Sequence, residues 1–149
     1  MPDTNEPKIE AWINHLSKTV GKVDQETYFI GHSIGCQTIL RFLEELPANR
    51  KVSKVIMVAP WLKLTNLSGD EAWEIAKPWL ETPIDFEKVK TKAKEFICIY
   101  SDNDKWVPLF ENKKFFEEKL QAQSVVEQGK GHFTDSDEIK ELPLLLKFF

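Results

Sequence analysis

The sequence has little cysteine, no long hydrophobic run and no block of like charge. Only two cysteines occur among 149 residues, Cys36 and Cys98, and neither belongs to a Cys-x-x-Cys pair or a Cys/His cluster. A disulfide framework and a zinc site therefore have no support, and two buried free thiols are predicted. No apolar run approaches the ~20 residues that span a bilayer, and the polar N-terminus lacks the apolar stretch of a secretory signal. We expect a soluble, cytoplasmic protein with no membrane partner.

Charge and composition limit the partners further. The formal net charge of -4 comes from 20 basic and 24 acidic residues that are interleaved along the chain. Because no basic stripe is present, nucleic acid is not expected as a partner. A hydrophobic content of 42% is enough for one packed core, and no linker or repeat divides the chain. The sequence predicts a single domain over residues 1–149.

Short β-rich runs alternate with longer amphipathic runs, which is typical of βαβ construction. The predicted strands are 26–31, 52–59, 95–101 and 124–127. The predicted helices are 9–20, capped by Thr4 or Asn5 and ended by Gly21, then 33–45, 86–93, 110–120 and a last one within 137–149 that Pro143 bends or begins. The run VSKVIMVA is almost continuously hydrophobic, as in a strand covered on both faces. The predicted fold class is α/β, a three-layer αβα sandwich with a mainly parallel sheet.

Residues 61–83 interrupt this alternation. Trp61, Trp73 and Trp79 stand there among acidic residues and prolines, with no single clean period. We predict a lid-like excursion over one end of the sheet.

The segment Gly31-His32-Ser33-Ile34-Gly35 matches the pattern G-x-S-x-G. A five-residue pattern with three fixed positions also occurs by chance in ordinary turns. Here it follows an apolar strand and precedes a helix, which is the context of a nucleophile elbow. Ser33 is therefore the candidate nucleophile, and the backbone N–H of Ile34 is a candidate oxyanion donor. His32 is interpreted as structural, since adjacent residues on such a turn point in different directions.

A serine hydroxyl needs a neighbouring base that is oriented by an acid. The third predicted strand is followed by Asp102 and Asp104, and the fourth is followed by Gly-Lys-Gly and His132. Both positions lie just past the C-terminal ends of strands, where open parallel sheets carry their functional groups. The chain order Ser, Asp, His is that of α/β hydrolases, with either aspartate as the acid.

These motifs resemble the α/β-hydrolase superfamily, and more closely its small retinoblastoma-binding-protein-9-like group, which includes YdeN-type serine hydrolases. The similar stretches span the whole chain: MPDTNEPKIEAWINHL, FIGHSIGC, VAPW, YSDNDKWVP and GKGHF. In that group the acid lies four residues before the proline of its loop, which implies Asp104 as the acid and Asp102 as a loop-structuring side chain. The resemblance also implies a carboxylesterase-like serine hydrolase that cleaves small ester or amide substrates through an acyl-enzyme, without a cofactor.

The resemblance includes one departure. In the group, a further strand precedes the segment similar to MPDTNEP, lies beside the nucleophile strand and carries a second oxyanion N–H on its loop. Here we expect an exposed sheet edge, at which a second copy of the chain can pair to form a homodimer. The alternative function is a non-catalytic protein-interaction module derived from a hydrolase.

Two further assignments complete the sequence-based site. Trp61 and Trp106 are the candidates for the wall of an apolar acyl pocket, because they lie near the predicted lid and the acid. The run Asp102-Asn103-Asp104 has the start of a calcium loop but lacks its glycine and its closing glutamate. No metal site is predicted.

Overall fold

The computed structural model describes all residues from 1 to 149 and contains one four-stranded sheet. Its strands are β1 Tyr28–His32, β2 Val52–Val58, β3 Ala93–Ser101 and β4 Gln123–Glu127. They lie in the order β1-β2-β3-β4, and every neighbouring pair is parallel. The predicted parallel sheet is therefore confirmed. Since all strands run in one direction, the loops that follow them gather at the C-terminal end of the sheet.

Five α-helices and two short 3₁₀ segments complete the fold. The helices are α1 Ile9–Val20, α2 Ile34–Glu45, α3 Gly69–Glu81, α4 Phe86–Lys90 and α5 Leu109–Leu120, and the 3₁₀ segments are Asp135–Asp137 and Pro143–Phe148. Gly21 ends α1 with a φ of 65° and an N–H bonded to the carbonyl of Ser17, as predicted. The last segment begins at Pro143 but forms 3₁₀ turns in place of an α-helix.

The predicted cap of the first helix is wrong. The helix begins after Lys8, which makes no side-chain cap, and not after Thr4 or Asn5. The preceding segment forms a turn in place of a helix, with the Glu6 N–H bonded to the Asp3 carbonyl at 3.0 Å, and the carbonyl of Pro2 accepts a hydrogen bond from the indole of Trp12 at 2.6 Å. Pro7 also disfavours a helical conformation at the residue before it.

The two faces of the sheet are covered differently. On one face α1, α2, α4 and α5 enclose the larger core, to which β2 contributes Val55 and Met57. On the other face Ile56 and Val58 lie in a smaller cluster that the C-terminal 3₁₀ segment covers. Both faces of β2 are thus buried, which is why its sequence is hydrophobic without alternation. The αβα layering is confirmed, with 3₁₀ turns as the second outer layer.

Residues 61–83 contain the helix α3, which the irregular pattern did not predict. The C-terminal half of α3 is anchored, because Trp79 is fully buried and its indole N–H donates to the carbonyl of Pro7 at 3.0 Å. The guanidinium of Arg41 adds hydrogen bonds to the carbonyls of Trp79 and Thr82 at 3.0 and 2.7 Å. Trp73, in the other half, is 39% exposed. A lid-like role for the segment stays a prediction.

The two cysteines are core residues, and the helices lack membrane-spanning character. Cys36 and Cys98 are both buried and unpaired, as predicted. Burial raises the pKa of both thiols well above the usual range, so neither is an available nucleophile near neutral pH. None of the helices combines the length and the apolar character needed to cross a bilayer.

Candidate active site

Ser33 lies at a sharp corner between β1 and α2. Its backbone has φ 51° and ψ -121°, a conformation that few residues other than glycine adopt. The corner is held by two backbone hydrogen bonds of 2.9 Å, from Ser33 N–H to the Val58 carbonyl and from Cys36 N–H to the Ser33 carbonyl. This is the strand-to-helix geometry of a nucleophile elbow.

The two glycines of the motif have different roles. A Cβ on Gly31 would lie 2.7 Å from Ile39 Cδ1 and 3.0 Å from the backbone nitrogen of Cys36. Gly31 therefore permits the close packing of α2 on β1. A Cβ on Gly35 would meet nothing within 4 Å, so Gly35 has no such steric reason.

The three predicted triad side chains form one hydrogen-bonded chain. Ser33 Oγ lies 2.8 Å from His132 Nε2, and His132 Nδ1 lies 2.7 Å from Asp104 Oδ2. The side chains of His132 and Asp104 are 9% and 3% exposed. Because a carboxylate accepts, Nδ1–H donates to Asp104, and Nε2 is left to accept the Ser33 hydroxyl proton. The loops after β1, β3 and β4 thus bring together residues that are far apart in sequence.

The acid is fixed by its own loop. Asp104 Oδ1 accepts hydrogen bonds from the backbone N–H groups of Trp106 and Val107 at 2.9 and 3.1 Å, while Oδ2 is used for His132. Asp102 lies elsewhere, where its Oδ1 accepts from the N–H of Gly129 at 2.8 Å. Asp104 therefore contacts the base, and Asp102 joins the acid loop to the base loop.

Asp137 organises the loop of the base, and sequence reasoning missed it. Its Oδ2 accepts hydrogen bonds from the backbone N–H of His132 at 2.9 Å and from the hydroxyl of Thr134 at 2.6 Å. The bond from Thr134 is the main cause that lowers the pKa of Asp137 below its usual value. The spacing Thr-x-x-Asp was a usable signal, since it forms a capping box at the first 3₁₀ segment.

His32 supports the base and not the nucleophile. Its Nε2–H donates to the backbone carbonyl of His132 at 2.7 Å, and the two rings lie 5.0 Å apart. This agrees with the structural role predicted for it.

The two predicted pocket tryptophans both adjoin the reacting groups. The ring of Trp106 packs edge-on against the imidazole of His132, with centroids 5.0 Å apart. The indole Nε1 of Trp61 lies 3.2 Å from Ser33 Oγ, and Trp61 is only 3% exposed. Trp61 therefore presents a polar edge to the site, whereas the sequence predicted only an apolar contact from it.

Ile34 is the first residue of α2, immediately after Ser33. Backbone N–H groups in the first turn of a helix have no acceptor within the helix, and the helix dipole makes this end attractive to negative charge. The N–H of Ile34 therefore lies beside the nucleophile and has no acceptor within the helix.

The site combines a hydroxyl, an imidazole with an accepting nitrogen and a buried carboxylate, which together can activate the hydroxyl by proton transfer. No group of three or more His, Cys, Asp or Glu side chains in the structure is arranged to hold a metal ion.

Comparison with known proteins identifies the family. The profile of the family described as serine hydrolase matches residues 1–149. The chain is 30% identical over 146 residues to YdeN of Bacillus subtilis (strain 168), covering 97% of this chain and 73% of YdeN. It is 28% identical over 137 residues to serine hydrolase RBBP9 of Rattus norvegicus, covering 92% of this chain and 68% of RBBP9. The crystal structure of the ydeN gene product from B. subtilis matches with a TM-score of 0.87 and 28% identity, over 99% of this chain and 76% of that one. The chain therefore belongs to the serine hydrolase family and has an α/β-hydrolase fold.

Proposed function

We propose that this protein hydrolyses small carboxylic esters or amides through an acyl-enzyme, with Ser33 as nucleophile, His132 as base and Asp104 as acid. The observation that carries the proposal is the unbroken hydrogen-bonded path from Ser33 Oγ through the imidazole to the Asp104 carboxylate, at 2.8 and 2.7 Å. Both distances lie within the range that general-base catalysis requires.

Acylation begins with transfer of the Ser33 hydroxyl proton to His132 Nε2. The Oγ electron pair forms a bond to the substrate carbonyl carbon, and the carbonyl π electrons move to its oxygen. Asp104 holds the imidazole in the required tautomer and stabilises the imidazolium that forms. The N–H of Ile34 is the proposed donor to the oxyanion. His132 then gives its proton to the leaving alkoxide or amine as the tetrahedral intermediate collapses.

Deacylation repeats these steps with water. His132 takes a proton from the water, whose oxygen attacks the acyl carbon. Collapse of the second intermediate returns the proton to Ser33 Oγ and releases the carboxylic acid. No step requires a metal ion or an organic cofactor.

The surroundings of Ser33 favour small apolar acyl groups. The half-buried ring of Trp106 lies beside the base. Trp61 lies against Ser33 Oγ and is only 3% exposed. Aromatic and apolar walls with few polar groups are typical of sites for small ligands. We therefore propose a carboxylesterase-like preference for short acyl chains, with Trp61 and Trp106 at the acyl site.

Hydrolysis of a short p-nitrophenyl ester tests the proposal. Ser33→Ala and His132→Gln should lower the turnover number by at least about a thousandfold, and Asp104→Asn should also lower it by orders of magnitude, because the three residues act as a unit. The matched control is His15→Gln, since His15 is exposed on α1, away from the site. It should retain the wild-type rate.

Two outcomes would contradict the proposal. Equal rates for wild type and Ser33→Ala would mean that the activity does not use this nucleophile. A folded wild-type protein that hydrolyses no ester or amide in a panel of short acyl groups would favour the interaction-module alternative.

A further inference from the structure

Trp61 places a hydrogen-bond donor on the nucleophile itself. Its indole Nε1 lies 3.2 Å from Ser33 Oγ. An indole N–H can only donate, so the direction of this bond is certain. Ser33 Oγ has a single proton, which is directed to His132 Nε2 at 2.8 Å. The hydroxyl oxygen thus donates to the base and accepts from Trp61 at the same time.

We propose that the indole N–H of Trp61 is a catalytic donor that stabilises the negative charge on Ser33 Oγ during acylation. The inference rests on the proposed function and adds a residue to it. As the Oγ–H bond breaks and its proton moves to His132, the oxygen gains negative charge before its electron pair reaches the carbonyl carbon. Hydrogen bonds to a charged acceptor are roughly twice as strong as those to a neutral one. The Trp61 bond therefore strengthens in the transition state, which is the condition for acceleration.

The location of Trp61 makes this bond effective. The side chain is only 3% exposed, so little water competes for the indole N–H. A donor in a site shielded from water interacts more strongly with a developing charge than one in bulk solvent.

The backbone around Trp61 is held independently of Ser33. The amide of Gln37, which is fully buried in α2, donates to the carbonyl of Trp61 at 2.9 Å. Asn112 Oδ1, from α5, accepts the next two backbone N–H groups, those of Leu62 and Lys63, at 2.8 and 3.0 Å. The backbone that carries the indole is therefore held from two helices before any charge develops, which favours the preorganisation that electrostatic stabilisation requires.

A purely structural role makes a different prediction. A buried indole N–H needs an acceptor, and Ser33 Oγ could serve only for that purpose. In that case, loss of the N–H would change stability but not the rate of attack by Ser33. The experiment must therefore remove the N–H, keep the shape of the ring and measure the rate.

The test replaces Trp61 with 3-benzothienylalanine, in which sulfur takes the place of N–H on a ring of nearly the same shape, with Trp61→Phe as a second variant. We expect kcat/KM for a p-nitrophenyl ester to fall roughly tenfold to a hundredfold, less than for the shorter donors of a typical oxyanion hole. The second-order rate of labelling by a fluorophosphonate should fall by a similar factor. The apparent pKa of the acid limb of the rate profile should stay unchanged, since His132 and Asp104 are intact.

The control is the same analogue at Trp12 on α1, a buried tryptophan whose indole N–H donates to the carbonyl of Pro2 and contacts none of the reacting groups. It should leave both rates unchanged. The inference is overturned if the folded benzothienyl variant at position 61 keeps the wild-type kcat/KM and labelling rate, or if its acid limb shifts, which would indicate a displaced base. If wild type itself neither hydrolyses nor labels, the proposed function fails instead.

Discussion

At the scale of single residues, two carboxylates that accept hydrogen bonds from backbone N–H groups hold the acid and the base in place. Asp104 uses one oxygen for His132 and the other for two backbone N–H groups. Asp137 does the same for the far side of the base, because one oxygen accepts from the N–H of His132 and from Thr134. Such bonds to a carboxylate are stronger than neutral ones and reduce the reorganisation needed during proton transfer.

The Asp137 carboxylate should contribute to the stability of the protein in a pH-dependent way, and Asp137→Asn removes that contribution. Since folding lowers the pKa of Asp137, its contribution to stability is present above its unfolded pKa of about 3.9 and is lost as the pH falls through the folded value. At neutral pH we expect a loss on the order of 1 kcal/mol in the free energy of unfolding. Urea unfolding should show the gap between wild type and variant narrowing below about pH 4. A gap that is equal at pH 7 and pH 3 would contradict the assignment.

Sequence reasoning identified the residues that carry a local signal and missed those that act through distant contacts. Ser33 stood in a motif, and His132 followed a recognisable strand, so both could be nominated from position alone. The N–H of Trp61 could not, because its contact with Ser33 depends on how the chain turns after β2. Asp137 is a different case, because it carried a local signal in the Thr-x-x-Asp spacing of a capping box, but that spacing does not show that the carboxylate also accepts from the His132 N–H.

At the scale of elements, strands that are buried on both faces were easier to predict than helices whose ends depend on distant contacts. Strong burial made β2 and β3 easy to predict, because their sequences are apolar on both faces. Helix α3 was harder, since Pro78 lies within it and its exposed half carries Trp73. The start of α1 was misplaced because long-range hydrogen bonds hold the segment before it.

The junction of β1 and α2, which carries Ser33, can be tested by alanine substitution at Gly31 and Gly35. Gly31→Ala should cost about 1–3 kcal/mol in the free energy of unfolding, because its Cβ would press on Ile39 and on the backbone of Cys36. Gly35→Ala is the matched control, since its Cβ enters open space and alanine favours a helix, and it should be neutral or stabilising by up to about 1 kcal/mol. Urea unfolding of both variants measures the difference. Equal losses would mean that close approach of α2 to β1 is not the reason for Gly31.

At the scale of the whole molecule, the sheet has an open edge at β1, which pairs only with β2. Tyr28 and Ile30 on this strand are 39% and 48% exposed, and Leu146 and Phe149 lie exposed in the C-terminal segment. The ring of Phe149 contacts that of Tyr28, with centroids 5.4 Å apart. An exposed edge with apolar side chains is prone to pair with another strand.

The homodimer predicted from the sequence would form by pairing of two copies of the chain at this edge. If a second copy pairs at β1, light scattering over a dilution series should show a dimer mass that falls toward the monomer as the protein is diluted. Ile30→Lys should shift this transition to higher concentration, because a charge on an edge strand opposes pairing. A monomer mass at every concentration would reject the dimer and leave the site within one chain unaffected.

Covalent labelling of Ser33 measures whether His132 and Asp104 activate it as a nucleophile. The experiment is intact mass spectrometry after exposure to a fluorophosphonate, followed by peptide mapping. We expect one adduct per chain, located on Ser33, absent from Ser33→Ala and formed far more slowly in His132→Gln. An adduct on another residue, or none on the folded wild-type protein, would contradict the account.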